Sequence, residues 1–147
     1  MSNKVILNIP KSLLLYTVPP KQTTALDRLP LKIGDHLVSS TTTARNLGVL
    51  FDESLSMEPH IKAICKTAFF RLRAIAKIRK KLPFAAAKIL ITSTVMSSLD
   101  YANSLLGGLP QDRIDRLQRV QNAAARLIMR AGRYDSATRA RKSLHWL

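Results

Sequence analysis

The chain has 147 residues, 46% of them hydrophobic and 22% charged, proportions that exclude a disordered tail and suit one globular domain with a real core. Lys and Arg total 24 against 9 acidic residues, a net charge of +15, and that excess favours polyanionic partners, nucleic acid or an anionic membrane surface. Cys65 is the only cysteine, so an intrachain disulfide is excluded and a reducing, intracellular setting is expected, nuclear and cytoplasmic not being distinguished.

The charge is uneven. Residues 1–56 hold six cations and four anions, which leaves +13 on the rest. No secretory signal is read at the start, where Lys4, Asn8, Pro10 and Lys11 interrupt the apolar residues. The longest apolar stretch, Ile89 to Leu99, is bounded by Lys88 and Asp100, short of the ~20 residues that span a bilayer. No membrane association is expected.

In chain order, Val5-Ile6-Leu7 and Leu13-Leu14-Leu15-Tyr16 are apolar patches separated by Pro10, which argues against one helix. The second patch reads as a strand, and residues 19–30 read as a loop opened by Pro19-Pro20. Leu31 to Val38 alternates around Gly34-Asp35, the pattern of a hairpin with a two-residue Gly-X turn. Residues 39–43 read as a polar connector. Asn46 to Phe51 reads as one buried strand, with Gly48 marking a bulge or a close backbone approach.

From Ser56 the apolar period changes from 2 to 3.6. Ser56, Glu58 and Pro59 suit a helix start, and the helix is predicted to run to about Lys81, before Pro83. Ile61, Ile64, Cys65, Ala68, Leu72, Ile75 and Ala76 form its expected buried stripe. Lys62, Lys66, Arg73, Lys77 and Lys80 form a second, basic face. A following helix from Phe84 or Ala85 is expected to be buried on most sides, with Thr92, Ser93, Thr94, Ser97 and Ser98 bonding back to the preceding turn.

Gly107-Gly108 is expected to stop that helix and Pro110 to restart the chain. In the next helix Ile114, Leu117, Val120, Ala124, Leu127, Ile128 and Ala131 point inward. Arg113, Arg116, Arg119, Arg126 and Arg130 point elsewhere. Gly132 is expected to end it, and a short helix is predicted around Thr138–Leu144.

Little in the chain suggests catalysis. His36, His60 and His145 lie in three segments without metal-ligand spacing. Cys65 falls on an apolar stripe, the place of a buried structural thiol. Asp52-Glu53 could be a carboxylate pair or serve the turn into the helix; adjacent strand side chains face opposite ways, which favours the turn. Gly107-Gly108 lacks the Lys-Ser/Thr of a phosphate loop. No metal or other cofactor is expected. The recurrent cations on the long helices suit phosphate contacts along a strand, against the alternatives of a solvated face and of membrane or acidic-protein binding. With few aromatic residues, base stacking is not expected to dominate.

The motifs resemble a known family. Leu-Asp-Tyr-Ala-Asn-Ser-Leu-Leu-Gly-Gly-Leu-Pro at 99–110 and Leu-Gln-Arg-Val-Gln-Asn-Ala-Ala-Ala-Arg-Leu at 117–127 are similar to the region downstream of the polymerase core in non-LTR (LINE-type) retrotransposon reverse transcriptases. Lys142 to Leu147 is similar to the next family segment. Arg45 to Asp52 resembles the strand-turn element that grips the primer end, which marks Asn46, Leu47 and Gly48 as primer-grip-like. Leu7 to Ser12 resembles the element closing the palm, with Ser12 where the family has Thr.

The resemblance implies a fragment: a palm remnant over residues 1–56 and a helical, thumb-like domain over 57–147. The family's metal-binding aspartates lie upstream of these elements, and the chain has no Tyr-x-Asp-Asp. Two-metal phosphoryl transfer requires such carboxylates, so a non-enzyme is expected. The expected fold is α+β, mainly helical, with short N-terminal strands followed by a helical bundle. The expected function is phosphate-mediated binding of an RNA/DNA template-primer duplex through Lys62, Lys66, Arg73, Lys77, Lys80, Arg116, Arg119, Arg126 and Arg130. An upstream palm-fingers polypeptide is a second expected partner, and self-association follows from exposed strand edges. The alternatives are a helical protein-interaction module and a retroelement-derived product without selected function.

Overall fold

The structure, a computed structural model, describes residues 8, 11–17, 29–101, 107–132 and 134–146. The fold is α+β and mainly helical, as the sequence predicts. It divides into two compact units, Met1–Pro59 and His60–Leu147. The patch Val5–Leu7 and most of the 19–30 loop lie outside the described residues.

The first unit holds two small antiparallel hairpins. β1 (Leu31–Ile33) pairs with β2 (His36–Val38), with Ile33 opposite His36. The turn is therefore Gly34-Asp35, as the alternation predicts. Gly34 has φ +59, the first-position requirement of a type II′ turn, which only glycine meets at no steric cost. The strand expected at Leu13–Tyr16 is reduced to one parallel bridge between Leu14 and Ser40. There the Thr41 amide donates to the Leu14 carbonyl at 2.8 Å.

The second hairpin corrects the single strand expected at 46–51. β3 (Thr43–Asn46) pairs with β4 (Val49–Asp52), and Leu47-Gly48 is the turn between them. Both turn residues have positive φ, 46 and 83, the type I′ geometry that matches the twist of the flanking strands. Gly48 is thus a turn residue, not a bulge within a strand, and Thr43 belongs to a strand rather than to a connector.

β4 ends at Asp52, which is buried and holds the chain that leads into the first helix. Its carboxylate accepts from the Ser54 hydroxyl at 2.6 Å, the Ser56 amide at 3.0 Å and the Met57 amide at 2.8 Å. Leu55 and Met57 have φ of 50 and 60, a left-handed backbone held in place by those bonds. The Ser56 hydroxyl accepts from the Glu58 amide at 3.2 Å, so Ser56 serves the helix start. Of the two readings of Asp52-Glu53, the geometry of Asp52 is that of the turn.

α1 (Glu58–Ile78) runs on into a 3-10 turn, Arg79–Lys81, close to the predicted Lys81 end. α2 (Phe84–Ile91) continues through a π turn, Thr92–Met96, into α3 (Ser97–Asp100). α4 (Gln111–Met129) and α5 (Ala137–Ser143) complete the unit. Ala68, Leu72 and Ile75 of α1 join Ile91, Val95, Met96 and Leu99, then Val120, Ala124, Ala125 and Ile128 of α4, and Ala140 and Leu144. Of the inward residues read from the 3.6 period, Ala68, Leu72, Ile75, Val120, Ala124 and Ile128 are among these, Ile64, Cys65, Leu117 and Leu127 pack half-buried against them, and Ile61 is buried as well.

Four expectations differ in the helical unit. Ala76 and Ile114 are exposed rather than inward. The 84–100 rod is buried on one side only: Ile89 is 69% exposed, and Thr92, Ser93 and Ser97 are exposed as well. Lack of charge suggests full burial, but hydroxyls bonded back to the helix tolerate solvent equally well. The described part of this rod ends at Asp100, with Tyr101 extended, ahead of Gly107-Gly108. Gly108 has φ +79, the left-handed backbone read from Gly107-Gly108, and residues 102–106 ahead of it lie outside the described residues. α4 ends not at Gly132 but at Arg130, which is left-handed at φ 52 and ψ 31. The Ala131 amide there donates to the Arg126 carbonyl at 3.0 Å, a six-to-one closing bond.

Candidate nucleic-acid interface

Between Glu58 and Asp100 the sequence has nine cations and no acid. α1 carries four of them, Lys62, Lys66, Arg73 and Lys77, on its solvent side, because its apolar stripe claims the other, and Lys80 follows in the 3-10 turn. Lys62, Lys66, Arg73, Lys77 and Lys80 are all exposed. At 3.6 residues per turn the four on α1 share one narrow arc, and Lys62 to Lys77 spans ~22 Å of helix. A row of this length can follow several successive phosphates.

Phe70 belongs to the same row. The spacing Lys66, Phe70, Arg73, Lys77 is four, three and four, so the ring lies among the cations. It is 68% exposed. The residue is readable from that spacing, although a count of aromatic residues passes over it.

Beside Phe70 the α1 surface falls into a groove of about 530 Å³. Ile75 and Leu90 give it apolar surface, and Ser93, Thr94, Ser97 and Ser98 give it hydroxyls. Arg71 lies in it and fixes the opposite wall. Its Nη1 donates to the Thr94 carbonyl and, at 2.8 Å, to the Ser98 hydroxyl. The π turn explains this demand for outside donors, since it breaks the regular i→i−4 ladder. The Ser97 hydroxyl serves the Ser93 carbonyl at 2.5 Å, and the Thr94 hydroxyl serves the Leu90 carbonyl at 2.6 Å. Ser93 also bonds back to Leu90, and Ser98 to Thr94. These four residues show the back-bonding that the sequence predicts for the Ser/Thr cluster.

The arginines of α4 divide. Arg119 is exposed, and Arg116 is half-buried and already engaged within the chain. Arg126 donates Nε to the Asp135 carbonyl at 3.2 Å. Arg130 donates Nη2 to the carbonyls of Arg79, Lys80 and Leu82 at 3.2–3.4 Å. Arg126 and Arg130 thus have backbone partners that helical spacing alone does not reveal.

Arg79, which is not among the cations that spacing singles out, is the most deeply placed of these side chains, 5% exposed. It donates Nε to Leu127 at 2.9 Å, Nη1 to Leu82 at 2.9 Å and Nη2 to Ile128 at 2.6 Å, all backbone carbonyls. Burial, and then the adjacent Arg130 charge, lower its pKa from the ordinary value, yet a guanidinium stays charged in a protein. Its phase is legible: Arg79 follows Leu72 by seven and Ile75 by four, on the apolar stripe.

His36 and His145 are exposed and His60 is buried, and no group of three or more His, Cys, Asp or Glu able to hold a metal occurs among the described residues. Cys65 is half-buried on the core side of α1. Asn46, Leu47 and Gly48 form the tip of the second hairpin, where Leu47 is 82% exposed. Among the described residues no helix is long and apolar enough to cross a membrane. Compared with protein-family models, curated proteins and solved structures, the chain gives no match.

Proposed function

We propose that the helical unit binds nucleic acid through its phosphates, as the non-catalytic, thumb-like part of a LINE-type reverse transcriptase. The observation that carries this reading is the row of four exposed cations on α1, continued by Lys80 in the 3-10 turn after it, in a stretch of chain without an acid. A solvated helix face ordinarily mixes signs. The motif resemblance at 99–110 and 117–127 supports the family assignment. The missing Tyr-x-Asp-Asp supports a non-catalytic role.

The test is the salt dependence of binding to an RNA–DNA hybrid. Affinity should fall steeply as salt rises. Replacing Lys62, Lys66, Arg73, Lys77 and Lys80 by Gln should flatten the slope by about one unit for each phosphate that α1 no longer neutralises. An unchanged slope removes α1 from the interface.

A second reading, protein interaction, is favoured by the first hairpin, where Leu31 and Leu37 are 48% and 67% exposed. Salt-insensitive capture of a palm-fingers polypeptide, abolished on replacing Leu37 by Lys, would select it.

A further inference from the structure

We infer that the groove between α1 and the 84–100 rod is a subsite for one unpaired nucleotide, stacked on Phe70. This rests on the phosphate-binding reading above and extends it from the backbone to the base, making single-stranded nucleic acid the preferred partner.

Four observations converge. Phe70 is exposed in the middle of the cationic row, flanked by Lys66 and Arg73 one turn to either side. A strand whose phosphates follow those cations brings its bases within reach of the ring, and stacking on an aromatic face accepts any base. The groove beside the ring is of the size of small-ligand sites, about 530 Å³. Its walls are chemically matched to a base edge. The Ser93, Thr94 and Ser97 hydroxyls spend their single protons on helix carbonyls, so each presents lone pairs to the groove and can accept from a base amine; the Ser98 hydroxyl already accepts from Arg71. Arg71 supplies a cation on the other side, oriented by Thr94 and Ser98. Finally, a base inside a duplex is stacked on its neighbours and cannot enter such a groove without being extruded. The subsite therefore distinguishes single strands from duplexes, which the cation row by itself does not.

The charge of the surroundings selects the occupant. No acid lies between Glu58 and Asp100, so a strand of phosphates is attracted to the two elements that line the groove. An acidic amphipathic peptide is the competing occupant and is decided by the same measurements.

Fluorescence anisotropy on the full chain tests the inference with four probes: a single-stranded oligonucleotide, the same strand with abasic sugars in its centre, a blunt duplex, and an acidic amphipathic peptide. The wild-type chain should bind the single strand on the order of tenfold more tightly than the abasic strand at equal salt. Phe70→Ala should remove that difference, Phe70→Tyr should keep it, and neither should alter duplex binding. Phe70 is exposed, so the Ala variant should melt like the wild type. Should the abasic and normal strands bind alike, the subsite falls while the phosphate reading stands. Should Phe70→Ala weaken duplex and single strand equally, the ring is a general contact and the subsite falls. If no probe binds in a salt-dependent way, or only an acidic peptide binds, both readings fall.

Discussion

The side chains of Arg79 and Arg130 are exchanged between helix ends. Arg79, just past α1, donates to the last carbonyls of α4 at Leu127 and Ile128; Arg130, just past α4, donates to the carbonyls of Arg79, Lys80 and Leu82. Each cation sits at the negative end of the other's helix, where orphan carbonyls and the macrodipole both favour it. The like charges repel, and the carbonyls between them offset that repulsion.

The exchange is asymmetric in burial, which sets the size of each effect. Arg79→Met should destabilise the helical unit by about 3 kcal/mol, since it strips a charged donor from three carbonyls. Arg79→Lys should fail to restore stability, because an ammonium cannot reproduce the planar fork. Arg130→Ala should cost about 1 kcal/mol, its bonds being longer and exposed. Urea unfolding of the single variants and the double variant measures both costs and their coupling. Equal costs for the two arginines would contradict the burial difference.

Asp52 predicts a pH dependence. Burial pushes its carboxyl up, but hydrogen bonds from Ser54, Ser56 and Met57 outweigh burial and leave the pKa below the ordinary aspartate value. A lowered folded-state pKa stabilises above the unfolded value of ~3.9, and this contribution is lost as pH falls through the folded one. Asp52→Asn should therefore cost about 2 kcal/mol at neutral pH. Once pH has fallen below the lowered folded-state pKa the variant and the wild type should converge, as both side chains are then neutral. Amide hydrogen exchange at Met57, compared across pH, reads the effect locally. A difference that does not change with pH would show that the charge is immaterial.

Leu47 predicts a gain. A γ-branched side chain at φ 46 sits in the left-handed region, at a cost of roughly 1–2 kcal/mol. Leu47→Asn creates Asn-Gly, the preferred pair for this turn, and should raise stability by about 1 kcal/mol. Leu47→Val should lower it, because β-branching makes positive φ still worse. Thermal melts of the two variants should move in opposite directions.

The legible parts of the fold are those set by local chemistry. The Gly34-Asp35 turn, the α1 stripe and the inward face of α4 follow from turn residues and apolar periods. The second hairpin is hidden because Leu at a positive φ gives no turn signal, and Gly48 alone reads equally as a bulge. The half-open rod is hidden because Ser and Thr are neutral in hydropathy yet can satisfy themselves on the helix. In the candidate interface, the α1 cations can be read from spacing. The backbone ties of Arg126 and Arg130 cannot, since their partners at Asp135 and at residues 79–82 are fixed only once the helices pack. Arg79 becomes readable when its phase is trusted over its charge.

The π turn at Thr92–Met96 works as a phase correction. Residues four apart on an α-helix drift by ~40° per step, so a row from Ala87 through Ile91 and Val95 to Leu99 would wind away from the core. One extra residue in a wider turn resets the drift, and all four are buried. Removing a single residue from this turn would leave an ordinary helix with Leu99 still directed inward. What it would take away is the wide coil that brings the Thr94 carbonyl to Arg71. The core and the groove are thus separable in length: the rod keeps its inward phase with one residue fewer, and only the longer rod offers the Thr94 carbonyl to Arg71.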